Sequence, residues 1–513
     1  MSAGGEPRLW NNCRTGATGA PERHEAAQPM LDSHVRAELA ALLPPSALLT
    51  APEDTKPYEC DGLTLFREQP AAVVLPETEA QVAAILRICH AARVPVVARG
   101  AGTSLSGGAL PHRDGVVLSL AKFRNILAID TLARTAVVQP GVRNLAISEA
   151  AAPHGLYYAP DPSSQIACSI GGNVAENAGG VHCLKYGLTV HNVRRVRGLL
   201  ITGEPFEFGG ASLDSAGYDL LALITGSEGL LAVITEVTVK LTPKPQLAQV
   251  ACAAFDDIEK AGAAVGAIIG EGIIPAGLEM MDQPATRAVE EFVHAGYPLD
   301  AAAVLLVESD GTPEEVDDEM GEIRRVLTAS GATSIRVSRD ERERLLLWSG
   351  RKAAFPAVGR LSPDYYCIDG TIPRKALPLV LRRTAEWSKE FGLACANVFH
   401  AGDGNLHPLI LFDANKEGEI EKTIAFGDRI LELCIEVGGT VTGEHGVGVE
   451  KLSTMCTQFA PDELERFHGV KAAFDPSGLL NPGKGVPTLA RCAEFGRMHV
   501  HHGQLRHPDI PRF

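Results

Sequence analysis

Two histidines stand seven residues apart in His400-Ala401-Gly402-Asp403-Gly404-Asn405-Leu406-His407, and a carboxylate and a third histidine follow in Thr442-Gly443-Glu444-His445-Gly446. The Gly-Asp-Gly-Asn turn can return the imidazoles of His400 and His407 to one point, and Glu444 brings a carboxylate from a separate segment. Two neutral imidazoles and one carboxylate suit a divalent ion with a position left open for substrate, zinc first and manganese or iron behind it. A packed core has no use for so many polar side chains among glycines. The two segments read as an active site.

Composition narrows what that site serves. The 513 residues, 45% hydrophobic and 21% charged, suit a globular chain of two or three domains. Its 47 basic and 63 acidic residues give a net charge of −16, and no basic run or aromatic-interleaved stripe offers a surface for nucleic acid. The 11 cysteines are scattered and never form Cys-x-x-Cys, so they read as reduced thiols of a cytoplasmic protein that carries no iron–sulfur cluster of its own. No apolar stretch is long enough to span a bilayer, so any contact with the inner membrane would be peripheral and run through a partner.

The elements that must position the site are read from periodicity. Residues 1–30 lack it and read as a disordered tail, with Met30 as a second potential start. A strand is expected at 71–75. A capping box at Thr78 and Gln81 then opens a helix through Val82, Ile85, Leu86 and Cys89, and a second strand follows at 94–98. This β-α-β unit heads a domain assigned to 31–244. Residues 245–411 read as an α+β domain with an antiparallel sheet, including a strand at 303–307 and a helix at 313–327. The remainder, 412–513, reads as mainly helical, with a helix at 425–437 stopped by Gly438-Gly439.

Three glycine-rich loops fall in the first domain. Arg99-Gly100-Ala101-Gly102-Thr103-Ser104-Leu105-Ser106-Gly107-Gly108 follows a strand, and backbone N–H groups can approach a pyrophosphate closely only where side chains are absent. It is not the dinucleotide fingerprint, because Gly115 and a strand follow it instead of a helix. Taken alone it could equally be a hairpin-like connection. The further runs from Pro160 through Gly180, and Thr225-Gly226-Ser227-Glu228-Gly229, favour a long flat ligand approached by backbone at several places.

Longer strings carry a resemblance. They are Tyr157-Tyr158-Ala159-Pro160-Asp161-Pro162-Ser163-Ser164-Gln165, Gly350-Arg351-Lys352-Ala353-Ala354-Phe355-Pro356, Asp364-Tyr365-Tyr366-Cys367, Val398 to Pro408, and Leu480-Asn481-Pro482-Gly483-Lys484. On these the chain from about Leu31 resembles the D-2-hydroxyacid dehydrogenase branch of the vanillyl-alcohol-oxidase-type FAD oxidoreductases. The resemblance implies an α+β fold: a two-part FAD-binding domain with its PCMH-type core at about 67–244, a substrate or cap domain, and a C-terminal segment that completes the active site. It implies FAD, held noncovalently because no residue from Arg99 to Gly108 is a His or Cys. The implied flavin contacts are Arg99, Gly100, Ala101, Gly102, Thr103, Ser104, Gly107, Pro160, Asp161, Ser164, Gly171, Gly172, Asn173, Asn177, Gly179, Gly180, Glu228, Gly229, Ile234 and Asn481.

For the chemistry, the resemblance implies that His400, His407 and Glu444 are metal ligands and that Arg351 clamps the substrate carboxylate. Removing a hydroxyl proton calls for a base near neutrality, which points to His445, with Asn405 as a hydrogen-bond donor to the substrate oxygens. Where long-chain relatives carry a second basic residue this chain has Cys367, which favours a short monocarboxylate. The expected reaction is oxidation of glycolate, and more slowly of D-lactate, to the 2-oxo acid. Electrons would pass to an iron–sulfur partner subunit and quinone, in a complex with a second flavin-domain subunit. A stand-alone D-lactate dehydrogenase and a noncatalytic FAD-binding scaffold are the alternatives. The Met498-His499-Val500-His501-His502-Gly503 run reads as a partner-docking tail in preference to a metal site.

Overall fold

The computed structural model describes residues 30–212 and 217–488; the tail expected before Met30 and the His499 to His502 run lie outside them. The expected capping box forms at Thr78 and Gln81 and opens the helix Glu79–Ala91, whose Val82, Ile85, Leu86 and Cys89 are all buried. That helix crosses over a small sheet ordered Leu48–Leu49, Ala72–Val74, Val116–Ser119, Val96–Arg99. Ala72–Val74 and Val96–Arg99 both run parallel to Val116–Ser119, which lies between them. The glycine loop from Gly100 therefore leaves the carboxyl end of Val96–Arg99, the last strand in that order.

A second, antiparallel sheet has five strands, Ile126–Asp130, Thr135–Val138, Val233–Lys240, Val193–Leu199 and Pro205–Gly209, in that order. The third is the antiparallel sheet expected beyond residue 244. Its seven strands are ordered Ser334–Val337, Leu247–Phe255, Ala303–Gly311, Gly277–Asp282, Cys395–Phe399, Pro408–Phe412, Asp364–Cys367. Side chains alternate across it. Ala251, Ala253 and Phe255 join one core with the helices Ile258–Gly270, Pro313–Ala329, Leu377–Phe391 and Glu419–Glu436. Val250, Cys252 and Ala254 join another with Gln283–Val293 and Glu341–Lys352. Helices on both faces explain why Ala303 to Val307 is apolar throughout where a half-solvated strand would alternate.

Two expectations shift. The helix expected at 425–437 begins at Glu419, because its first turn is polar and gives no apolar periodicity, and it stops as expected before Gly438, whose φ is +88°. The last described residues are not helical throughout. After the helix Pro461–Phe474, Leu480 pairs in parallel with Val96, with Val96 N–H to Leu479 O at 2.8 Å and Asn481 N–H to Val96 O at 2.8 Å. The C-terminal segment thus covers the cap sheet with one helix and completes the first sheet with its end.

Leu480 is fully buried against the first sheet and its helix. Leu480→Ala is expected to lower the unfolding free energy by about 2–5 kcal/mol in urea titrations, the usual range for a deleted core side chain.

Candidate active site

The turn between His400 and His407 closes as its sequence suggests. His400 N–H donates to Asn405 O and Asn405 N–H to His400 O, at 3.0 and 3.2 Å. Gly404 sits at φ +83°, and a Cβ there would lie 2.2 Å from Ile372 O, so only glycine fits the corner. The two imidazoles then face each other edge to face, with ring centroids 5.0 Å apart. Glu444 Oε1 lies 3.2 Å from His400 Nε2 and 3.0 Å from His407 Nε2. One ligand atom from each of the three falls within 4.8 Å of the others, so the donor set fits a divalent ion. Burial opposes charge on both partners, yet the Glu279 and Glu444 carboxylates hold His400 well above its ordinary range and the His400 charge holds Glu444 well below its own.

The loop that carries Glu444 and His445 is folded around a carboxylate that the sequence reading missed. Asp369 is fully buried and accepts the N–H groups of Gly443, Glu444 and His445 at 3.1, 3.3 and 3.0 Å and the Thr442 hydroxyl at 2.6 Å. Lys451, also fully buried, donates to Asp369 and to Gly446 O at 3.0 and 2.9 Å. These donors and the Lys451 charge outweigh burial and hold the Asp369 carboxyl far below its usual range. Gly179 N–H takes Glu444 Oε2 at 2.9 Å, which leaves Oε1 facing the histidines. His445 stacks on His407 with centroids 4.9 Å apart and planes 9° from parallel. Its Nδ1 is buried without a partner, and burial pushes the ring down to about 4.

The three histidines and Glu444, but not Asp369 or Lys451, line a cavity of about 520 Å³. Of the flavin contacts expected from sequence, Arg99, Gly100, Ala101, Gly102, Thr103, Ser104, Ser164, Gly171, Gly172, Asn173, Glu228, Gly229 and Ile234 line it, with His400, His407, Glu444, His445 and Arg351. The others stand behind its wall. Gly107 and Gly180 pack against Val449 and the Asp161 backbone, and Pro160 O takes Asn144 Nδ2 at 3.1 Å. Asn177 caps a helix with φ +52°, Gly179 holds Glu444, and Asn481 ties Gly108 O to Glu228 O. Asn405 is buried beside Gly443, its Oδ1 without a partner. None of the backbone N–H groups from Gly100 to Ser104 has an acceptor among the described residues, as a loop that cradles phosphate requires.

Arg351 is 1% exposed and lines the same cavity. Its Nη2 lies 2.7 Å from Glu279 Oε2, but without hydrogen-bond alignment, so Nε, Nη1 and Nη2 all stay free for an acceptor. Cys367 Sγ and one ring nitrogen each of His407 and His445 fall within 4.8 Å of one another. Sequence reasoning also passed over Glu176, which lines the cavity beside Glu228; burial raises both carboxyls, and Glu228 raises Glu176 further. It missed the ionic junction beneath Arg351 as well. His182 lies 2.9 Å from Asp161 and 3.2 Å from Glu308, while Lys352 reaches Asp161 at 3.0 Å and Arg344 reaches Glu308 at 2.8 Å.

Models for an FAD binding domain and for the C-terminal domain of FAD linked oxidases match residues 70–209 and 244–485. The chain is 61% identical to glycolate oxidase subunit GlcD of Escherichia coli K12 over 96% of its own length and 99% of that protein's. The chain belongs to the FAD-linked oxidase family. Other members include GlcD of Bacillus subtilis, 39% identical over 85% of this chain and 93% of that one, and a D-lactate dehydrogenase of Anaerostipes hadrus, 32% identical over 86% and 94%. The fold is that of p-cresol methylhydroxylase with substrate bound and of 4-ethylphenol oxidase from Gulosibacter chungangensis, at TM-scores of 0.75 and 0.74 and identities of 16% and 17%, each over 90% of this chain and 98% and 99% of theirs. As a family member the chain is an oxidoreductase and a flavoprotein, of the two-part flavin fold with an antiparallel cap sheet. No helix among the described residues is long and apolar enough to cross a membrane.

Two outcomes test this geometry. A Cβ at Gly171 would lie 2.6 Å from Pro140 Cβ and 3.0 Å from its carbonyl oxygen, so Gly171→Ala is expected to purify with substoichiometric flavin, read as the ratio of flavin to protein absorbance. Gly266→Ala, whose Cβ meets nothing within 4 Å, is expected to keep a full complement. His182 is buried, which disfavours its charge, yet Asp161 and Glu308 raise it from 6.5 to about 10. A raised folded pKa stabilises fully below the unfolded value and is lost as pH climbs to the folded one. The stability advantage of the native chain over His182→Asn in urea is therefore expected to be full below pH 6.5 and to shrink from there towards pH 10.

Proposed function

We propose that the chain oxidises glycolate, and D-lactate more slowly, to the 2-oxo acid. The observation that carries this is the convergence of Arg351, His445 and the His400, His407, Glu444 set on one end of the glycine-loop cavity. When bound, FAD supplies the hydride acceptor. A divalent ion held by His400, His407 and Glu444, zinc first, supplies a Lewis acid for the substrate oxygens.

The chain's own residues then divide the work. Arg351 offers a buried guanidinium with free N–H groups, suited to bidentate capture of a carboxylate, and fixes the acid end of the substrate. His445, neutral and with an unpartnered ring nitrogen, takes the hydroxyl proton as the 2-oxo acid forms. Asn405, buried against Gly443 beside Glu444, has its Oδ1 without a partner and stands next to the lining residues as a hydrogen-bonding group for the substrate oxygens. Cys367, where long-chain relatives carry a basic residue, would hold a second substrate carboxylate poorly, which favours a short monocarboxylate.

Identity of 61% to a protein named as a glycolate oxidase subunit supports glycolate over the D-lactate dehydrogenases, and the word subunit supports a complex. In that complex, electrons leave through an iron–sulfur partner to quinone at the cytoplasmic face of the inner membrane, beside a second flavin-domain subunit. Anaerobic bleaching of the flavin tests the reading. Glycolate is expected to bleach it, a chelator to abolish the bleaching and added zinc to restore it; a flavin that glycolate leaves oxidised in the assembled complex would overturn the assignment. His445→Ala is expected to lower kcat by about 10²–10⁴, the usual share of a general base, with flavin content unchanged.

A further inference from the structure

We infer that Glu279 is a positioning residue that ties the two halves of the site together: one oxygen orients the metal ligand His400 and the other holds the carboxylate clamp Arg351. The inference rests on the metal and clamp roles just proposed. Glu279 lies in the strand Gly277–Asp282, whose residues are all buried, and is itself 1% exposed. A lone carboxylate there would carry a heavy desolvation cost, so its partners must be positive or donate to it. It has two. Oε1 lies 2.8 Å from His400 Nδ1, and Oε2 lies 2.7 Å from Arg351 Nη2.

The His400 contact fixes a tautomer. A ring whose Nε2 serves as a metal ligand keeps its proton on Nδ1, where Glu279 accepts it, and this is the outer-shell arrangement that orients metal-binding imidazoles and raises their basicity. Glu279 is not itself in the ligand set, because it occupies the opposite nitrogen of the ring. The Arg351 contact neutralises a buried guanidinium while leaving its N–H groups unaligned and free. The backbone makes this spacing stiff. Met280 and Met281 pair with Phe399 and Val398, on the strand that runs directly into His400, and Gly402 N–H donates to Leu278 O at 2.9 Å. Both strand registers therefore hold Glu279 at one distance from His400. The carboxylate bridge then sets how far the clamped acid group stands from the ligand set.

Two probes on the purified flavoprotein read the two arms separately: zinc affinity by competition with a chromophoric chelator, and oxalate binding to the metal-free protein by perturbation of the flavin spectrum. Glu279→Gln keeps the shape but can accept from only one partner and removes the counter-charge of Arg351. It is expected to weaken zinc about 10–100-fold, the range for losing an outer-shell partner. Oxalate is expected to bind about tenfold tighter, because the negative charge beside the guanidinium, which opposes a bound anion, is gone. Glu279→Asp keeps the charge but is too short to span both groups, and is expected to weaken zinc as well. If Glu279→Gln does not fold, the Asp variant carries the zinc arm alone. Zinc and oxalate affinities unchanged in a folded, flavin-loaded variant, or a change in only one of them for Glu279→Gln, would overturn the coupling. A native chain that binds no zinc would instead sink the metal reading itself.

Discussion

The candidate site depends on one buried carboxylate that never faces its cavity. Asp369 collects the N–H groups of Gly443, Glu444 and His445, the Thr442 hydroxyl and the Lys451 ammonium. Each of these donors would be costly to leave unpaired in an interior site, and together they fix the backbone of a loop that has no helix or strand to hold it. With that backbone fixed, Glu444 meets Gly179 on one side and the two imidazoles on the other, and His445 stacks on His407. The pair with Lys451 also compensates the charge of Asp369, so the anchor is neutral as a unit although neither partner touches water.

Around that anchor the three sheets play different parts. The small parallel sheet ends in the Gly100 loop, which presents unpaired backbone donors to the cavity. The cap sheet, covered by helices on both faces, holds Glu279 on one of its inner strands and His400 at the end of the next, while Arg351 comes from the helix Glu341–Lys352 packed on it. The ionic junction of His182, Asp161, Lys352, Glu308 and Arg344 joins the two halves immediately beside Arg351. Its members come from both halves, so the clamp is positioned by the docking of the cap and not by its own helix alone.

Much of this was legible in the residues. Glycine runs after a strand announced a cradle, His400 and His407 around a Gly-Asp-Gly-Asn turn announced a shared point, and Thr78 with Gln81 announced a helix start, because in each case the interacting groups are neighbours in the chain. Asp369 and Glu279 were not legible. The partners of Asp369 lie 73 to 82 residues away and those of Glu279 lie 72 and 121 away (351 − 279 and 400 − 279), and each sits in a stretch that reads only as buried strand. A faint signal existed in Leu278-Glu279-Met280-Met281, where a carboxylate interrupts an otherwise apolar strand, and such an interruption deserves a partner. Several expected flavin contacts turned out to stand behind the cavity wall, since glycines and asparagines that shape a loop and those that line it have the same signature in sequence.

The parallel pairing of Leu480 with Val96 sets a constraint on biosynthesis. The first sheet, its glycine loop and the Asn481 ties to Gly108 and Glu228 are completed by residues that follow the whole cap in the chain. Contacts of such long sequence separation form late, so the N-terminal half must wait, partly open, for the whole cap to be translated. The cradle for the cofactor is thereby closed only by residues made after the cap.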